Sequence, residues 1–397
     1  MITFFLQKSK KEIFQAIIGP FIFSRLILLF IAWFSQYFRA SAQYFSSDSA
    51  TSHFAFSSFR FLDVWGRWDS GWYLKIAQQG YLFSNVGEQQ GNSFAFFPLY
   101  PSLIKLFSLI VPQQFLNQEV WLFVAVTLTN LFFLFGLVIF YFLVKNILLD
   151  KSKTEKEASD IASKSVILLL LFPTSFFFSA AYSEALFFLL AVGSFSLMKN
   201  KKYLLASLII SVASITRPYG ILLLLPLLIS YFQDRKWQIS KINWQLFSFV
   251  WPILALGTYA YYCYTQTGDF LAFLHAQGEW SRQFSWPWQS ILDPRHFIGY
   301  VTPVEKLLTV TSFIPLFLSF KFLPISWAIW ANAVNLIPLL SGTISSNLRF
   351  LIVLFPIYVV LAIMSQQKPQ LEKIILAIFL VLQVLLFSAW CQLYWVA

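Results

Sequence analysis

Five Lys- and Arg-rich clusters interrupt a chain that is otherwise apolar: residues 8–11, 145–164, 199–202, 235–241 and 368–373. Between them run apolar stretches of the length that crosses a bilayer, roughly 20 residues for a helix. Short loops rich in Lys and Arg are retained in the cytoplasm, so all five clusters are assigned to that side. Composition agrees. Of 397 residues, 58% are apolar and 11% charged, with 47 Phe, whereas soluble domains carry about 25% charged residues. The mean hydropathy is +0.68. A disordered chain, a coiled coil and a secreted disulfide scaffold are excluded. The expectation is an all-α polytopic integral membrane protein, a single transmembrane domain over 1–397.

The formal charge of +11 would raise nucleic acid as a partner in a soluble protein. Here it reflects loop asymmetry, and no nucleic acid is expected. Cys263 and Cys391 share no metal or disulfide spacing, and His53, His275 and His296 are scattered. No cofactor is required by the pattern. At the N-terminus, the apolar run 13–38 precedes Ala40-Ser41-Ala42. The run exceeds a signal-peptide core of 7–15 residues, so it reads as an uncleaved first span with a cytoplasmic N-terminus.

The first span delivers a long outside loop, 39–119. Within it, 94–111 is apolar but broken by Pro98 and Pro101 and carries Lys105. Were it to cross, the 145–164 cluster would fall outside, so it reads as a juxtamembrane or re-entrant helix. Spans follow at 120–148, 165–178 and 184–198. The run 203–232 is too long for one ordinary span and holds Arg217-Pro218 near its middle. It reads as two short segments meeting at 217–220, or as one kinked helix. A span over 247–264 leads to a second outside loop, 265–305. Spans at 307–322, 325–340, 350–364 and 374–395 complete ten or eleven. No internal repeat is visible.

The informative residues face outward. The first loop contains Phe61-Leu62-Asp63-Val64-Trp65-Gly66-Arg67-Trp68-Asp69-Ser70-Gly71-Trp72-Tyr73. An interfacial helix with an aromatic belt accounts for Trp65, Trp68, Trp72 and Tyr73. It does not call for Asp69, because a carboxylate beside a membrane is costly unless solvated or given a task. Asp63 is a spare acidic candidate. Phe94-Ala95-Phe96-Phe97-Pro98-Leu99-Tyr100-Pro101 alone is a kinked apolar helix start. At the outer turn of a helical hairpin stands Pro173-Thr174-Ser175, then Ser179-Ala180-Ala181-Tyr182-Ser183-Glu184. Ser183 reads as an N-cap. Glu184 has two readings: a helix-start carboxylate offsetting the dipole, or a second active-site carboxylate opposite Asp69.

Arg217 lies within an apolar run and Arg349 at the outer mouth of a late span. Snorkelling accounts for Arg349. An intramembrane Arg usually faces a cavity or an anion, and a guanidinium suits a phosphate. Arg25 in the first span is a lesser candidate of this kind. Together these groups suit a lipid-linked phosphate, with a carboxylate to deprotonate an incoming hydroxyl and basic residues to stabilise the departing phosphate. Asp69 and Glu184 are the catalytic candidates. Arg67, Trp68, Tyr73, Tyr100, Tyr182, Arg217 and Arg349 are the substrate-binding candidates. The two carboxylates could share a divalent metal, though nothing in the pattern indicates one.

Trp68-Asp69-Ser70 through Ile76-Ala77 to Gly80-Tyr81 resembles the first luminal loop of the PIG-V mannosyltransferases. These transfer the second mannose in glycosylphosphatidylinositol (GPI) anchor assembly and have bacterial relatives. The resemblance continues through Phe94 to Pro98, Leu128-Thr129-Asn130, Pro173, and Ser179 to Phe187. It closes with Arg217 and Gly220, and with Arg349-Phe350 and Phe355-Pro356. It implies a GT-C glycosyltransferase fold in a bacterial plasma membrane, with the active site on the non-cytoplasmic face. The donor would be a polyprenyl-phosphate sugar, most simply mannose, transferred with inversion to a lipid or glycan acceptor. By carry-over Asp69 is the base. Glu184 matches the acidic outer-turn motif of the more distant oligosaccharyltransferase catalytic subunit by analogy. Arg67 replaces the family's His before Trp-Asp, and Gln78-Gln79 replaces its Glu before Gly-Tyr. These departures bear on the acceptor rather than the reaction type. The rival from another class is a lipid-linked sugar flippase or transporter. It fits the outward carboxylates less well, since carriers place ionisable groups near the midplane.

Overall fold

The computed structural model describes residues 10–35, 56–81, 92–280, 282–292 and 302–396, apart from the side chains at 279, 280 and 302. Ala40-Ser41-Ala42, His53, His296 and the Glu279, Trp280 and Ser281 side chains fall outside it. The described residues form helices and turns, with no strand among them.

Five helices are long and apolar enough to cross a membrane by length and composition. They are α1 (Lys10–Ser35), the 33-residue helix Gln118–Asp150, Trp244–Thr267, Pro303–Phe322 and Pro369–Cys391. The helices near the other expected spans are shorter, and two are offset from them: the expected span 165–178 ends in a 3-10 turn, and the helix within 350–364 starts only at Pro356. The shorter helices are Glu155–Leu171, Glu184–Lys199, Tyr203–Ser214, Leu224–Asp234, Ile325–Leu339 and Pro356–Gln367. Most are short because prolines cut them. Pro173, Pro218 and Pro356 each stand at an interruption, where a ring without an N–H cannot continue the helical ladder.

The first outside loop contributes α2 (Ser70–Gln79) and α3 (Leu99–Ser108). At about 1.5 Å per residue, α3 is roughly 15 Å long, too short to cross. It packs on α2 and on α4 (Gln118–Asp150). Asn117 caps α4, its side chain accepting the Val120 amide at 2.9 Å. The loop helices share an aromatic core with α4 that contains Trp72, Tyr73, Phe94, Phe97, Tyr100 and Tyr259.

A tight link joins α4 to α5 (Glu155–Leu171), which opens on a reciprocal capping box between Thr154 and Glu157. After α5, a 3-10 turn at Ser175–Phe178 leads into α6 (Glu184–Lys199). Asn130 of α4 is level with this turn, accepting a hydrogen bond from Ser179 at 2.8 Å. Asn130 is a dozen residues from the start of α4, so the turn is sunk about 18 Å below that end. Irregular backbone at such depth needs protein cover, and Phe176, Phe177 and Phe178 are fully buried.

The run 203–232 is two segments. α7 (Tyr203–Ser214) ends, the chain turns at Arg217, and a 3-10 turn at Pro218–Leu223 feeds α8 (Leu224–Asp234). Then come α9 (Trp251–Thr267), α10 (Thr302–Phe322) and α11 (Ile325–Leu339). The short α12 (Asn347–Leu351), α13 (Pro356–Gln367) and α14 (Pro369–Cys391) complete the chain. In α14, Gln383 donates to the carbonyls of Leu170 and Phe172 and to Ser175. One buried amide thereby satisfies the broken end of α5.

Candidate active site

Four segments distant in sequence bring charge to one place. Glu184 opens α6 with its side chain fully buried (0% exposed), and Arg217 Nη1 lies 2.7 Å from Glu184 Oε1. Arg349 Nε is 3.0 Å from the same oxygen. Its Nη1 is 2.5 Å from Asp69 Oδ2. The order Asp69, Arg349, Glu184, Arg217 alternates in sign, so each buried charge has an opposite neighbour. Glu184 is therefore not a solvated helix-start carboxylate.

Local backbone explains each placement. Trp68 adopts φ 51°, the left-handed region, at a cost of about 1–3 kcal/mol that the surroundings must sustain. They do so by hydrogen bonds on both sides of it. The Ala181 amide donates to the Trp65 carbonyl at 2.9 Å, and the Trp390 indole donates to the Val64 carbonyl at 2.8 Å. The Asp69 amide donates to the Tyr182 hydroxyl, which donates onward to the Arg67 carbonyl, both at 3.1 Å. The first loop is thus stitched to the hairpin turn beside Glu184.

Arg217 sits at the apex between α7 and α8 because the chain folds tightly back on itself. A Cβ on Gly220 would lie 2.1 Å from the Ala213 carbonyl oxygen, so only glycine permits this approach. The Leu99 amide of α3 donates to the Ile215 carbonyl at 3.1 Å, fixing the loop helix to the same apex. Arg217 lies over the rings of Tyr219 and Phe350 at 5.2 and 5.7 Å. Arg349 is presented by α12 after Ser346, which adopts φ 67°. The Asn347 amide donates to Glu305 Oε1 at 3.1 Å, and Thr174 donates to the Leu348 carbonyl at 3.2 Å. The Arg349 guanidinium stacks over Tyr182 at 4.7 Å and Phe177 at 5.5 Å.

Tyr73 forms a wall of the cluster. Its hydroxyl is 2.9 Å from Ser183 Oγ, and its ring meets Tyr100 edge-on at 5.1 Å. Burial pushes the Tyr73 phenol up to about 12, so it stays protonated at neutral pH. The Ser183 side chain makes no cap bond to α6, contrary to the N-cap expectation. Its hydroxyl engages Tyr73 instead. Tyr100 is one ring further out, 2.7 Å from Thr129 Oγ1.

Asp69, Glu184, Arg217, Arg349, Tyr73 and Tyr182 are brought together. Arg67 and Trp68 point elsewhere. Arg67 pairs with Asp63 at 2.6 Å and donates to the Asp63 carbonyl at 2.7 Å. Asp63 also accepts the Phe56 amide at 2.7 Å, which makes this pair a brace of the loop. Trp68 packs edge-on against Trp395 at 5.0 Å. Arg25 lies on another side of the hairpin turn, hydrogen-bonded to Ser179. Two contributors escaped the sequence reading. Tyr219 looked like one aromatic among many, and Glu305 like the polar end of a loop. The Arg349 guanidinium bridges Asp69 and Glu184. Among the described residues no group of three or more His, Cys, Asp or Glu could hold a metal.

Comparison with known proteins bears on this geometry. The family model described as Mannosyltransferase (PIG-V) matches residues 14–266. The chain belongs to this family. It is 31% identical over 157 residues to GPI alpha-1,6-mannosyltransferase 2 of Mus musculus, covering 39% of this chain and 29% of that protein. The protein of the same name from Cricetulus griseus matches equally. GPI mannosyltransferase 2 of Drosophila pseudoobscura pseudoobscura is 31% identical over 218 residues, 50% of this chain and 43% of that protein. The chain thus spans less than half the length of these relatives. The family match contains Asp69, Glu184 and Arg217 and stops before Arg349. The place of Arg349 in the cluster therefore rests on the structure alone.

Proposed function

We propose that this PIG-V family member is a membrane glycosyltransferase of the GT-C fold. It moves a hexose, mannose on the family's precedent, from a polyprenyl phosphate to an acceptor hydroxyl on the non-cytoplasmic face. The observation that carries the reading is the state of Asp69. One of its oxygens is held by Arg349, while Oδ1 has no partner among the described residues. Its side chain is 14% exposed, against 0% for Glu184. A carboxylate fixed at one oxygen and open at the other is prepared to accept a proton.

In the proposed step the acceptor oxygen attacks the anomeric carbon on the face opposite the phosphate. Its proton passes to Asp69 Oδ1. The bond from the anomeric carbon to the phosphate oxygen breaks, and its electron pair leaves with the polyprenyl phosphate, inverting the centre. A carboxylate suffices as base where the transition state resembles an oxocarbenium ion, because proton transfer then lags bond breaking. Glu184 positions Arg349 and Arg217, and Tyr73 and Tyr182 wall the sugar. The step needs no metal ion.

The test uses membranes containing wild type or Asp69→Asn, given radiolabelled polyprenyl-phosphate mannose. Consumption of donor by wild type alone, with label appearing in a new product, is expected and identifies the acceptor. Equal consumption by the mutant would remove Asp69 as base, and no consumption by wild type would overturn the donor.

A further inference from the structure

The cluster around Asp69 and Glu184 is balanced. Arg349 is shared by the two carboxylates and Arg217 is matched to Glu184. Neither guanidinium brings uncompensated charge to an incoming phosphate. A third guanidinium stands beside them. Arg282, from the second outside loop, lies 5.9 Å from the centre of the Phe350 ring, which Arg217 also faces. No carboxylate of the described residues lies within 4.0 Å of Arg282. Among the described residues its hydrogen bonds are long ones to neutral oxygens, the Ser345 carbonyl at 3.3 Å and Ser341 Oγ at 3.4 Å.

The loop that carries Arg282 is locked to the turn that carries Arg349. The Gln283 amide donates to the Ser341 carbonyl at 3.1 Å, and the Ser285 amide donates to the Leu340 carbonyl at 3.0 Å. Gly342, at φ +77°, comes so close that a Cβ there would lie 2.7 Å from the Gln283 carbonyl oxygen. Glu305 also acts on Arg282 but lies more than 4.0 Å from it, and its Oε1 accepts the Asn347 amide at 3.1 Å. The same loop exposes Phe284, Trp286 and Trp288 at 77%, 52% and 56%. Exposed aromatic residues of this kind sit at the membrane interface, which favours an anion arriving on a lipid over one arriving from water.

We infer that Arg282 is the phosphate-binding residue of the site, taking the phosphoryl group of a lipid-linked donor from the second outside loop. This rests on the glycosyl-transfer reading above. The division of labour is then chemical. Arg217 and Arg349 fix the carboxylates, and Arg282 exchanges two weak contacts for charge-assisted hydrogen bonds to phosphate, which are roughly twice as strong as neutral ones. Burial pulls the Arg282 guanidinium down to about 10. It therefore remains cationic at neutral pH, and a bound anion relieves its desolvation.

The test measures binding of farnesyl phosphate, farnesol and inorganic phosphate to full-length protein in lipid nanodiscs. Wild type is compared with Arg282→Ala, Arg282→Lys and Arg25→Ala. Farnesyl phosphate affinity is expected to fall at least tenfold in Arg282→Ala. It should stay within about threefold in Arg282→Lys and in Arg25→Ala. Farnesol is expected to bind weakly and equally to all four proteins. Inorganic phosphate is expected to bind far more weakly than farnesyl phosphate. Binding of inorganic phosphate as tight as that of farnesyl phosphate would overturn the lipid source. Wild-type affinity in Arg282→Ala, or a loss confined to Arg25→Ala, would overturn the assignment. Should Arg282→Ala lose its folded elution profile, Arg282→Gln takes its place under the same criterion. Mannose transfer measured in parallel separates the two readings. Transfer by wild type with unchanged farnesyl phosphate binding in Arg282→Ala sinks this inference alone. Absence of both transfer and binding in wild type sinks both.

Discussion

The two ends of the helical bundle carry ion pairs of different kinds. At the end where α4 meets α5, the close pairs are built on lysine, among them Lys145 with Glu12 at 2.5 Å, Lys199 with Asp150 at 2.5 Å and Lys164 with Glu372 at 2.8 Å, while Arg235 stands 3.8 Å from Asp234. The carboxylates of these lysine pairs are open to solvent, 24%, 60% and 24% exposed. At the opposite end the cations are arginines, no side chain in the cluster exceeds 14% exposure, and Arg349 bridges two acids. Lysine is a strongly hydrated point charge that serves a wet surface. The arginine fork spans two carboxylates at once and is less costly to dehydrate. Burying ions gains little stability over apolar packing. Stability alone does not explain a cluster so placed, whereas the lysine pairs match the retention of Lys-rich loops expected on the cytoplasmic side.

The sharpest way to break that comparison is to remove the shared acid. Glu184→Ala leaves the buried Arg217 guanidinium facing a cavity and Arg349 with Asp69 alone. Stranding buried charge in this way costs about 3–5 kcal/mol. Thermal unfolding in detergent should show Glu184→Ala far below wild type, while Lys164→Ala at the other end stays close to it. Comparable losses at the two ends would mean that burial does not separate them.

Asp69→Asn probes use rather than stability. The amide keeps the shape and one acceptor for Arg349. A lost general base slows turnover by about 10²–10⁴-fold, measured as initial rate with polyprenyl-phosphate mannose. The mutant should unfold near the wild-type temperature. A large stability loss with proportionate loss of rate would make Asp69 a brace like Asp63.

Next in size is Gly220→Ala, which tests the apex that sets Arg217. With the Ala213 oxygen in the way, the turn must open, an overpacking cost of about 1–3 kcal/mol. The rate should fall more than stability, because Arg217 moves while α7 and α8 persist. An unperturbed rate would show that Arg217 tolerates displacement.

Much of this arrangement was legible in the sequence, for identifiable reasons. The clusters of Lys and Arg ordered the helices. The apolar run around Arg217-Pro218 was too long for one ordinary span, so its break was visible. A carboxylate among four aromatics singled out Asp69. What could not be read was pairing. Arg349 reaches Asp69 across 280 residues, and nothing local in either segment announces the other. Arg67 is the converse case. Its partner Asp63 stands four residues away, a spacing at which helical neighbours meet. The family resemblance drew attention to the substrate instead. Ser183 stands where a cap belongs, and only tertiary structure shows Tyr73 taking its hydroxyl.

The smallest expected effect gives the comparison its baseline. Lys201 pairs with Asp234 at the lysine end, with 68% of its side chain exposed. Solvent screens such a pair, and ordering a long side chain offsets most of its attraction, so exposed pairs contribute about 0–1 kcal/mol. Lys201→Ala should therefore leave unfolding and transfer rate unchanged within error. Its topological charge remains backed by Lys199 and Lys202 in the same cluster, so the helices should keep their orientation. Accessibility labelling of single cysteines placed at each end would check that orientation directly. A reversed labelling pattern in Lys201→Ala would mean that this one cation helps decide which end of the bundle faces outward, and that the lysine pairs have a task as specific as that of the buried arginines.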